Sequence, residues 1–322
     1  MTLVTGATGF VGSTLVHQLL AAGESVRILR RERSALDLLG DAAGSVEHVV
    51  GDVTDPDAVW DATEGVRRVA HVAAVVAFGR RARRRLWDVN VGGTDHVVNA
   101  ALDLGVERLV HVSSIAALGR PATPGGPIDE STAWATSAAN SGYARSKREA
   151  ERSVQRAVAE GLDAVIVNPA VVFGPGRRGE NTMVLAERLA AGRVPFVPTG
   201  STAVVDVADV ATGIRAAFAH GGSGERYVLA AETLPLAEIF GTLADALGVA
   251  PPQRLAPPAL LVAAGALAEA WGAVTRTDPA LTRATARSAS ASYRYSADKA
   301  RSDLGLAFRP FRETAARVAA AL

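Results

Sequence analysis

The chain has 322 residues, of which 48% are hydrophobic and 21% charged, and its formal net charge at pH 7 is +1. This balance is typical of a folded globular protein rather than a disordered one, and the small net charge gives no general attraction to nucleic acid. The absence of cysteine excludes disulfides, thiolate metal sites and cysteine nucleophiles.

A glycine-rich turn lies almost at the start of the chain. It reads Thr5-Gly6-Ala7-Thr8-Gly9-Phe10-Val11-Gly12, follows a short apolar run and opens into a helix-patterned segment. Strand, glycine turn and helix in this order are the setting in which such a motif binds a dinucleotide. Gly6 can adopt the backbone angles of the turn, Gly9 leaves room for a pyrophosphate, and Gly12 lets helix and strand pack closely. A tight turn without a ligand is the alternative.

Apolar runs of strand length alternate with helical patterns through the first half of the chain. The predicted strands lie near 2–5, 25–30, 46–50, 67–73, 108–112 and 163–168, and the predicted helices near 10–22, 56–63, 84–105 and 141–161. This alternation predicts an α/β fold with a doubly wound parallel sheet that helices cover on both faces. Ligands of such sheets bind beyond the carboxyl ends of the strands.

The end of the second strand predicts which dinucleotide binds. An acidic residue about twenty positions after the glycine turn holds the ribose of NAD, whereas arginine accommodates the 2′-phosphate of NADP. Arg30 and Arg31 occupy this position, and no acid occurs before Glu32. The sequence therefore favours NADP(H) over NAD(H), with a solvated basic turn as the alternative.

Small and polar residues follow the third and fourth strands. Asp52, next to Val53, could bond an adenine amine; capping a helix is the alternative, although Asp55 already precedes Pro56 for that purpose. Ala73 and Ala74 would let a cofactor lie against the backbone. These positions are candidates for cofactor contacts.

Two other polar features of this region favour structural interpretations. His71 and His111 are isolated within strands and lack metal-ligand spacing, so we interpret them as core histidines and predict no metal site. Five arginines lie at positions 80, 81 and 83–85. They could attract an anionic substrate, but a solvated helix face is the favoured interpretation.

The fifth strand leads into residues with catalytic potential. It delivers Ser113 and Ser114, and after a turn-rich loop come Tyr143 and Lys147, which are i and i+4 on one predicted helix. A phenol titrates near about 10, and an adjacent ammonium lowers its pKa. Ser114 could hold a carbonyl oxygen while Tyr143 donates a proton to it, and Lys147 could bond the cofactor ribose. Taken alone, this spacing on a helix is a common coincidence.

These motifs together resemble those of the extended short-chain dehydrogenase/reductases, within them the dihydroflavonol-reductase-like branch. The matching segments are Thr5–Gly12, Asp52-Val53, His71–Ala74, Asp88–Thr94, Ser113-Ser114, Tyr143-x-x-x-Lys147, Asn168–Gly176 and Val205–Ala211. The resemblance implies a Rossmann fold with a smaller C-terminal α/β substrate lobe. It also implies a Ser114–Tyr143–Lys147 catalytic set, which Asn90 completes by holding a water, and places Pro169 and Val172 beside the nicotinamide. One departure is Asn168, where arginine is common.

The resemblance also implies how the chain divides. A dinucleotide-binding domain over 1–168 would receive parts of roughly 203–230, and an interwoven substrate lobe would occupy 169–322. Within the lobe we predict helices near 180–192, 207–219, 235–248, 258–274 and 310–321.

One segment of the lobe, 255–274, contains a single charge, Glu269. Its prolines and its richness in alanine and glycine favour a buried or pocket-covering helix over a membrane span. Leu260, Ala264, Leu267 and Trp271 form an apolar stripe for which core packing is expected. Since the chain starts directly with the glycine motif, we expect no signal peptide and a cytoplasmic protein.

The function predicted from these residues is NADPH-dependent reduction of a ketone or aldehyde on a fairly apolar small molecule. The candidate substrate contacts are Phe78, Ser113, Ser114, Tyr143, Phe173 and Met183. The first alternative is a sugar-nucleotide epimerase or dehydratase, whose diphosphate Arg177, Arg178, Arg188 and Arg193 could bind. The second is a non-catalytic NADP-binding protein. The family resemblance further suggests a homodimer through the helices near 84–105 and 141–161.

Overall fold

The predicted strands of the first half form one parallel sheet. The computed structural model describes residues 1–79, 81–120, 126–137, 140–279 and 281–322; Arg80 and the loop residues 121–125 lie outside these ranges. Seven parallel strands of the described chain make up the large sheet: β1 (Thr2–Thr5), β2 (Val26–Arg30), β3 (Glu47–Val50), β4 (Arg68–His71), β5 (Arg108–Val112), β7 (Ala164–Pro169) and β11 (Arg226–Leu229). Their spatial order is β3-β2-β1-β4-β5-β7-β11.

Helices cover both faces of this sheet, which confirms the predicted doubly wound architecture. Apolar side chains of α1 (Phe10–Ala21) and α7 (Val207–His220) fill one core layer. Those of α2 (Pro56–Thr63), α4 (Gly93–Asp103) and α5 (Gly142–Ala159) fill the other. Strands buried on both sides need nearly continuous apolar runs, and all six residues of β7 are buried.

The order of the strands reverses between β1 and β4. In doubly wound sheets the crevice at this reversal, beyond the carboxyl ends of the strands, is the place where ligands bind. The glycine turn follows β1, Ala73 follows β4, and Ser114 follows β5. The fold therefore brings the candidate residues from distant parts of the sequence to one edge of the sheet.

The rest of the chain adds smaller sheets and helices. Strand β10 (Ser201–Asp206) pairs in parallel with β8 (Val171–Phe173) and antiparallel with β12 (Glu232–Pro235). Two short parallel pairs join β6 (Pro127–Ile128) with β14 (Arg294–Tyr295), and β9 (Val197–Pro198) with β13 (Leu255–Ala256). The helices are α6 (Met183–Ala190), α8 (Leu236–Ala246), α9 (Pro258–Thr275), α10 (Arg283–Ser290), α11 (Asp298–Leu304) and α12 (Phe311–Ala320).

The predicted helix over 84–105 is interrupted. It consists of α3 (Arg83–Trp87), a π-helical turn over Asp88–Gly92, and α4. The turn carries Asn90, whose side-chain amide donates to the Oγ of Ser146 on α5 at 3.0 Å. Gly93 follows directly, and a Cβ there would lie 2.9 Å from the side chain of Val53. The wider π-helical turn thus accommodates both the Asn90–Ser146 hydrogen bond and the close approach of Gly93 to Val53.

The expectation that the apolar stripe of α9 packs in the core is wrong. Leu260, Leu267 and Trp271 are 52%, 72% and 69% exposed. The buried residues of this helix are Gly265 and Gly272. These glycines let the α9 backbone lie directly on the segment that leads into α10, since a Cβ on Gly265 would approach Thr282 to 2.7 Å. Close packing on the glycine face turns the large side chains outward.

Helix α9 has one further property. Among the described residues it is the helix whose length and apolar composition would suffice to cross a bilayer. Only 11% of it is buried inside the protein, unlike the core helix of a globular domain.

Candidate active site

The glycine turn has a backbone that other residues could not adopt. Gly6 has a φ of +69°, and a Cβ at this position would lie 2.7 Å from the Cα of Ala73. A Cβ at Gly12 would lie 2.2 Å from the carbonyl oxygen of Gly6. Gly9 precedes the first turn of α1, which has neither a side-chain cap nor an acidic residue. The free N–H groups of this helix end and its partial positive charge suit an anionic group such as a pyrophosphate.

Of the other residues of the turn, Ala7 is buried, and Thr8, Phe10 and Val11 are partly buried. Phe10 packs against the segment that follows β8. A Cβ on Gly176 would lie 3.0 Å from the Phe10 ring. The glycine turn is therefore joined directly to the second part of the chain.

The two arginines after β2 differ in what holds them. Arg30 donates through Nε to the Nδ1 of His48 at 2.8 Å, and through its terminal nitrogen to two backbone carbonyls. Arg31 is exposed, and its side chain makes no hydrogen bond or ion pair within the described residues. A guanidinium with all of its donors available suits bidentate binding of a phosphate, so Arg31 is the freer of the two cations.

The residues after β3 and β4 form the opposite wall of this region. Asp52 accepts from the backbone and the hydroxyl of Thr54, at 3.0 and 2.9 Å, so one of its oxygens shapes the turn. Asp55 caps α2, as its position before a proline predicted. Val53 is buried, Ala73 is half-buried and Ala74 is exposed.

Ser114, Tyr143 and Phe78 meet beyond the ends of β4 and β5. The side chains of Ser114 and Tyr143 lie close enough for the serine hydroxyl to lower the pKa of the phenol. The Phe78 ring stands edge-on to the Tyr143 ring, with 5.9 Å between their centroids. Ser114 also accepts from the backbone N–H of Ala116 at 3.1 Å, which fixes its hydroxyl. A carbonyl oxygen placed here would meet two hydroxyl donors beside an aromatic wall.

The electrostatics of the tyrosine and the lysine differ from the prediction. Burial raises the pKa of Tyr143, and the nearby Ser114 hydroxyl opposes this change only in part. Lys147 is directed to the backbone instead, where its Nζ donates to the carbonyl of Val112 at 2.8 Å. The expectation that Lys147 lowers the pKa of Tyr143 is therefore wrong for this structure. Tyr143 is protonated at neutral pH and can act as an acid.

Lys147 itself carries a perturbed pKa. The side chain is 2% exposed, and burial lowers its pKa to about 8, while the nearby Glu151 carboxylate opposes this change. An ammonium with this pKa is still mostly charged at neutral pH. It loses its proton in the mildly alkaline range.

Glu151 is a site residue that the sequence analysis did not identify. It is 1% exposed and accepts hydrogen bonds from Ser113 Oγ at 2.7 Å and Asn168 Nδ2 at 2.6 Å. Arg148 and Arg226 lie 3.3 and 3.4 Å from its second oxygen. The available signal was its position, four residues after Lys147 on the same helix. Buried charges of this kind persist only when they are paired and hydrogen bonded.

The side chains of Asn168 and Asn90 form hydrogen bonds with backbone groups of neighbouring segments. Asn168 donates to the carbonyl of Ser114 at 3.0 Å as well as to Glu151, so this amide ties β7 to the segment that carries Ser114. Asn90 accepts from the backbone N–H of Val75 at 2.7 Å and donates to its carbonyl at 3.0 Å. It thereby positions the segment that carries Phe78.

Three of the predicted substrate contacts lie elsewhere. Ser113 is buried, and its hydroxyl is committed to Glu151. Phe173 and Met183 are buried in the core of the second lobe, where Phe173 packs against Phe311. Their apolar side chains were needed for packing, which sequence alone does not distinguish from lining a pocket. Pro169 is buried in β7, and Val172 is half-buried.

The histidines are confirmed as core residues. His71 bonds with the hydroxyls of Thr5 and Thr94, at 2.8 and 3.0 Å. Burial lowers its pKa to about 3, and lowers that of His111 well below its usual value. Neither residue belongs to a group of three potential metal ligands within the described residues.

Comparisons with known proteins agree with this geometry. The model of the NAD dependent epimerase/dehydratase family matches residues 2–230. Sterol demethylase protein B of Methylococcus capsulatus is 34% identical over 81% of this chain and 78% of its own length. The 2-alkyl-3-oxoalkanoate reductase of Stenotrophomonas maltophilia is 31% identical over 94% of this chain and 93% of its own.

Solved structures show the same likeness. The crystal structure of gox2253 is 34% identical, with a TM-score of 0.86 over 100% of this chain and 97% of that one. The dTDP-glucose 4,6-dehydratase DesIV of Streptomyces venezuelae, solved as a double mutant with NAD bound, is 25% identical. Its TM-score is 0.80 over 99% of this chain and 96% of that one.

Proposed function

The chain belongs to the NAD-dependent epimerase/dehydratase family, and from this premise we propose that it reduces a ketone or aldehyde on a fairly apolar molecule with NADPH. As an extended short-chain dehydrogenase/reductase it is an NAD(P)-dependent oxidoreductase. The observation that carries the proposal is the proximity of the Ser114 and Tyr143 side chains, beside the ring of Phe78.

The residues that would hold the cofactor fit a phosphorylated dinucleotide. The turn from Gly6 to Gly12 leaves a cradle that a Cβ would fill, and the adjoining helix end offers N–H donors to a pyrophosphate. Arg31, with Arg30 behind it, suits a 2′-phosphate because its donors are available. Lys147 suits a ribose hydroxyl. When bound, NADPH supplies the hydride.

The chain's own residues supply the proton. Ser114 donates a hydrogen bond to the substrate carbonyl oxygen, and Tyr143 donates its hydroxyl proton to that oxygen as the alkoxide develops. The raised pKa of Tyr143 keeps the proton in place at neutral pH.

An apolar substrate is supported by the surroundings of the hydroxyl pair. Phe78 is a large apolar residue that is 39% exposed and stands against the Tyr143 ring. Relatives bear names that refer to a sterol and to 2-alkyl-3-oxoalkanoates, both molecules with large hydrocarbon parts. These names describe the relatives, and they guide which ketones to assay first.

The test is a titration of NADPH against NADH, followed by turnover. We expect NADPH to bind more tightly, and Arg31→Ala to remove more of this preference than Arg30→Ala, since Arg30 is held by His48. NADPH oxidation with hydrophobic ketones should be lost in Tyr143→Phe. Tighter binding of NADH, with no ketone turned over, would contradict the proposal.

A second candidate is a sugar-nucleotide epimerase or dehydratase, which the similarity to DesIV favours. One of the four arginines expected to bind the diphosphate is already committed. Arg177 pairs with Asp37 at 2.5 Å and with Glu180 at 2.9 Å. A cofactor that copurifies and does not exchange, together with conversion of a dTDP- or UDP-sugar without net NADPH consumption, would establish this alternative.

A further inference from the structure

We propose that one face of the protein docks on the surface of an anionic lipid bilayer, next to the mouth of the active site. The docking face consists of the outward side chains of α9 and the basic segment 81–85. Bilayer docking would give the proposed reductase direct access to apolar substrates. This benefit rests on the proposed function, whereas docking itself does not depend on it.

The apolar part of the docking face is a continuous helical stripe. The exposed positions of α9 include Leu260, Ala263, Leu267, Ala270, Trp271 and Val274, which follow one another at helical spacing. Leu267, Trp271 and Val274 are 72%, 69% and 78% exposed. Single exposed apolar residues are ordinary, but a contiguous group marks a binding surface. Tryptophan and leucine are the side chains that amphipathic helices insert into a bilayer surface.

The opposite side of α9 is occupied, which decides how the helix can meet a bilayer. Gly265 lies on the backbone of Thr282, and Gly272 accepts through its carbonyl from the N–H of Thr277 at 3.1 Å. Crossing a bilayer would require these backbone contacts to break. The helix is therefore suited to lie in the membrane surface with its stripe inserted, rather than to span it.

The basic part of the docking face adjoins the end of α9. The backbone N–H of Arg81 donates to Asp278 at 3.1 Å, just beyond the helix. Arg81, the arginines over 83–85, and Arg276 are all exposed. The acidic side chains of the same region are Asp278 itself and Asp88, which pairs with Arg84 at 3.5 Å; Glu269 is paired with Arg283. The five exposed arginines outnumber the two carboxylates, Asp278 and Asp88, and Asp88 is already shared with Arg84. The excess of positive charge favours binding to anionic lipid.

The docking face is connected to the catalytic tyrosine by direct contacts. Phe78 stacks edge-on with Tyr143. The next residue, Gly79, is so close to Asp278 that a Cβ on it would lie 1.9 Å from the carboxylate. Asp278 in turn belongs to the segment that folds back on Gly272, the neighbour of Trp271. The inserted stripe and the candidate substrate entrance therefore lie on adjoining parts of one surface.

A bilayer fits this face better than a second copy of the chain. The stripe from Leu260 to Val274 is about 21 Å long and about 10 Å wide, from the rise and diameter of a helix. This is roughly 200 Å², about a quarter of the area that each partner buries in a stable interface. A two-fold dimer through this face would also bring two copies of the basic segment 81–85 into one interface. A bilayer needs neither a minimum area of contact nor the approach of two basic segments.

The experiment is cosedimentation of the full-length protein with lipid vesicles. We expect binding to vesicles that contain phosphatidylglycerol, weaker binding to pure phosphatidylcholine, and weakening by salt. Trp271→Gln and Leu267→Gln should each reduce binding about tenfold, since each removes a large inserted side chain. Trp60→Gln, which changes an exposed tryptophan on α2, is the matched control and should bind normally.

A second pair of variants tests the charges. Arg84→Gln combined with Arg85→Gln should weaken binding to phosphatidylglycerol vesicles, whereas Arg152→Gln, an exposed arginine on α5, should not. Absence of vesicle binding by the unaltered protein, or equal binding by Trp271→Gln and Trp60→Gln, would overturn the proposal. Self-association that Trp271→Gln abolishes, without vesicle binding, would instead identify a second copy as the partner and overturn it too.

The docking result is independent of the enzymatic one. Vesicle binding is measured without substrate, so it reports on docking even when no ketone is reduced. Reduction of a water-soluble ketone by Trp271→Gln should equal that of the unaltered protein, because Trp271 does not touch the Ser114–Tyr143 pair. Failure of that reduction in both proteins would count against the proposed function alone.

Discussion

Replacing Lys147 with methionine should stabilise the protein and abolish its turnover. Burial lowers the pKa of Lys147 from its usual value of 10.5 to about 8. At about 1.4 kcal/mol per pKa unit, holding the charged lysine in the folded protein costs about 3 kcal/mol at neutral pH. Methionine fills a similar volume without charge, but the hydrogen bond to Val112 is lost, which costs about 1 kcal/mol. The net gain in the free energy of unfolding is about 2 kcal/mol.

The pH dependence of this gain has a definite sign. When the pKa of a lysine is lower in the folded than in the unfolded protein, the lysine destabilises the folded state only while it is charged. The cost of Lys147 is therefore fully present below about pH 8, and it is relieved as the pH rises toward the unfolded value. The stability advantage of Lys147→Met should shrink across this window.

Urea unfolding at neutral pH and at about pH 9.5 measures both quantities. Arg145→Met, which removes an exposed cation from the same helix, is the control and should change stability little. A variant that is less stable at neutral pH would refute the reasoning, because it would mean that attraction to Glu151 outweighs the burial cost. A difference that does not vary with pH would refute it as well.

Three other substitutions test the site. Glu151→Gln should lower the pKa of Lys147 further, because the Glu151 carboxylate raises that pKa. The alkaline decline of kcat/KM should therefore move to lower pH, and an unchanged pH profile would exclude this coupling. Gly12→Ala should prevent cofactor binding and destabilise the fold, since its Cβ would lie 2.2 Å from the carbonyl oxygen of Gly6. The control is Gly44→Ala, whose Cβ enters open space and should leave the melting temperature unchanged. Phe78→Ala should raise KM for hydrophobic ketones more than for small ones, and equal changes for both would show that Phe78 does not contact the substrate.

Much of the site could be predicted because its signals are local. The glycine spacing of residues 6–12 reflects steric limits within one turn, and the structure has the backbone that this spacing indicated. Tyr143 and Lys147 share a helix face because of the helical repeat alone. The alternation of strands and helices likewise indicated the parallel sheet, since burial on both sides requires continuous apolar runs.

Other features depended on contacts between distant segments. The partners of Glu151 come from β5, β7 and β11, and no periodicity along α5 distinguishes it from a solvated acid. The pKa of Tyr143 rises because burial outweighs the effect of the Ser114 hydroxyl, and burial is a property of the assembled site. The same holds for Phe173 and Met183, whose apolar character is compatible with either a pocket or a core.

The sequence by itself determined the order of the elements, the glycine turn and the spacing of Tyr143 and Lys147, because these follow from backbone sterics and helical geometry over a few residues. Only the tertiary structure decided which face of α9 is buried. The composition of that helix favoured a core position, yet Gly265 and Gly272 pack on the neighbouring backbone and leave Leu267 and Trp271 exposed. The side on which a helix finds its partner depends on residues far away in the chain.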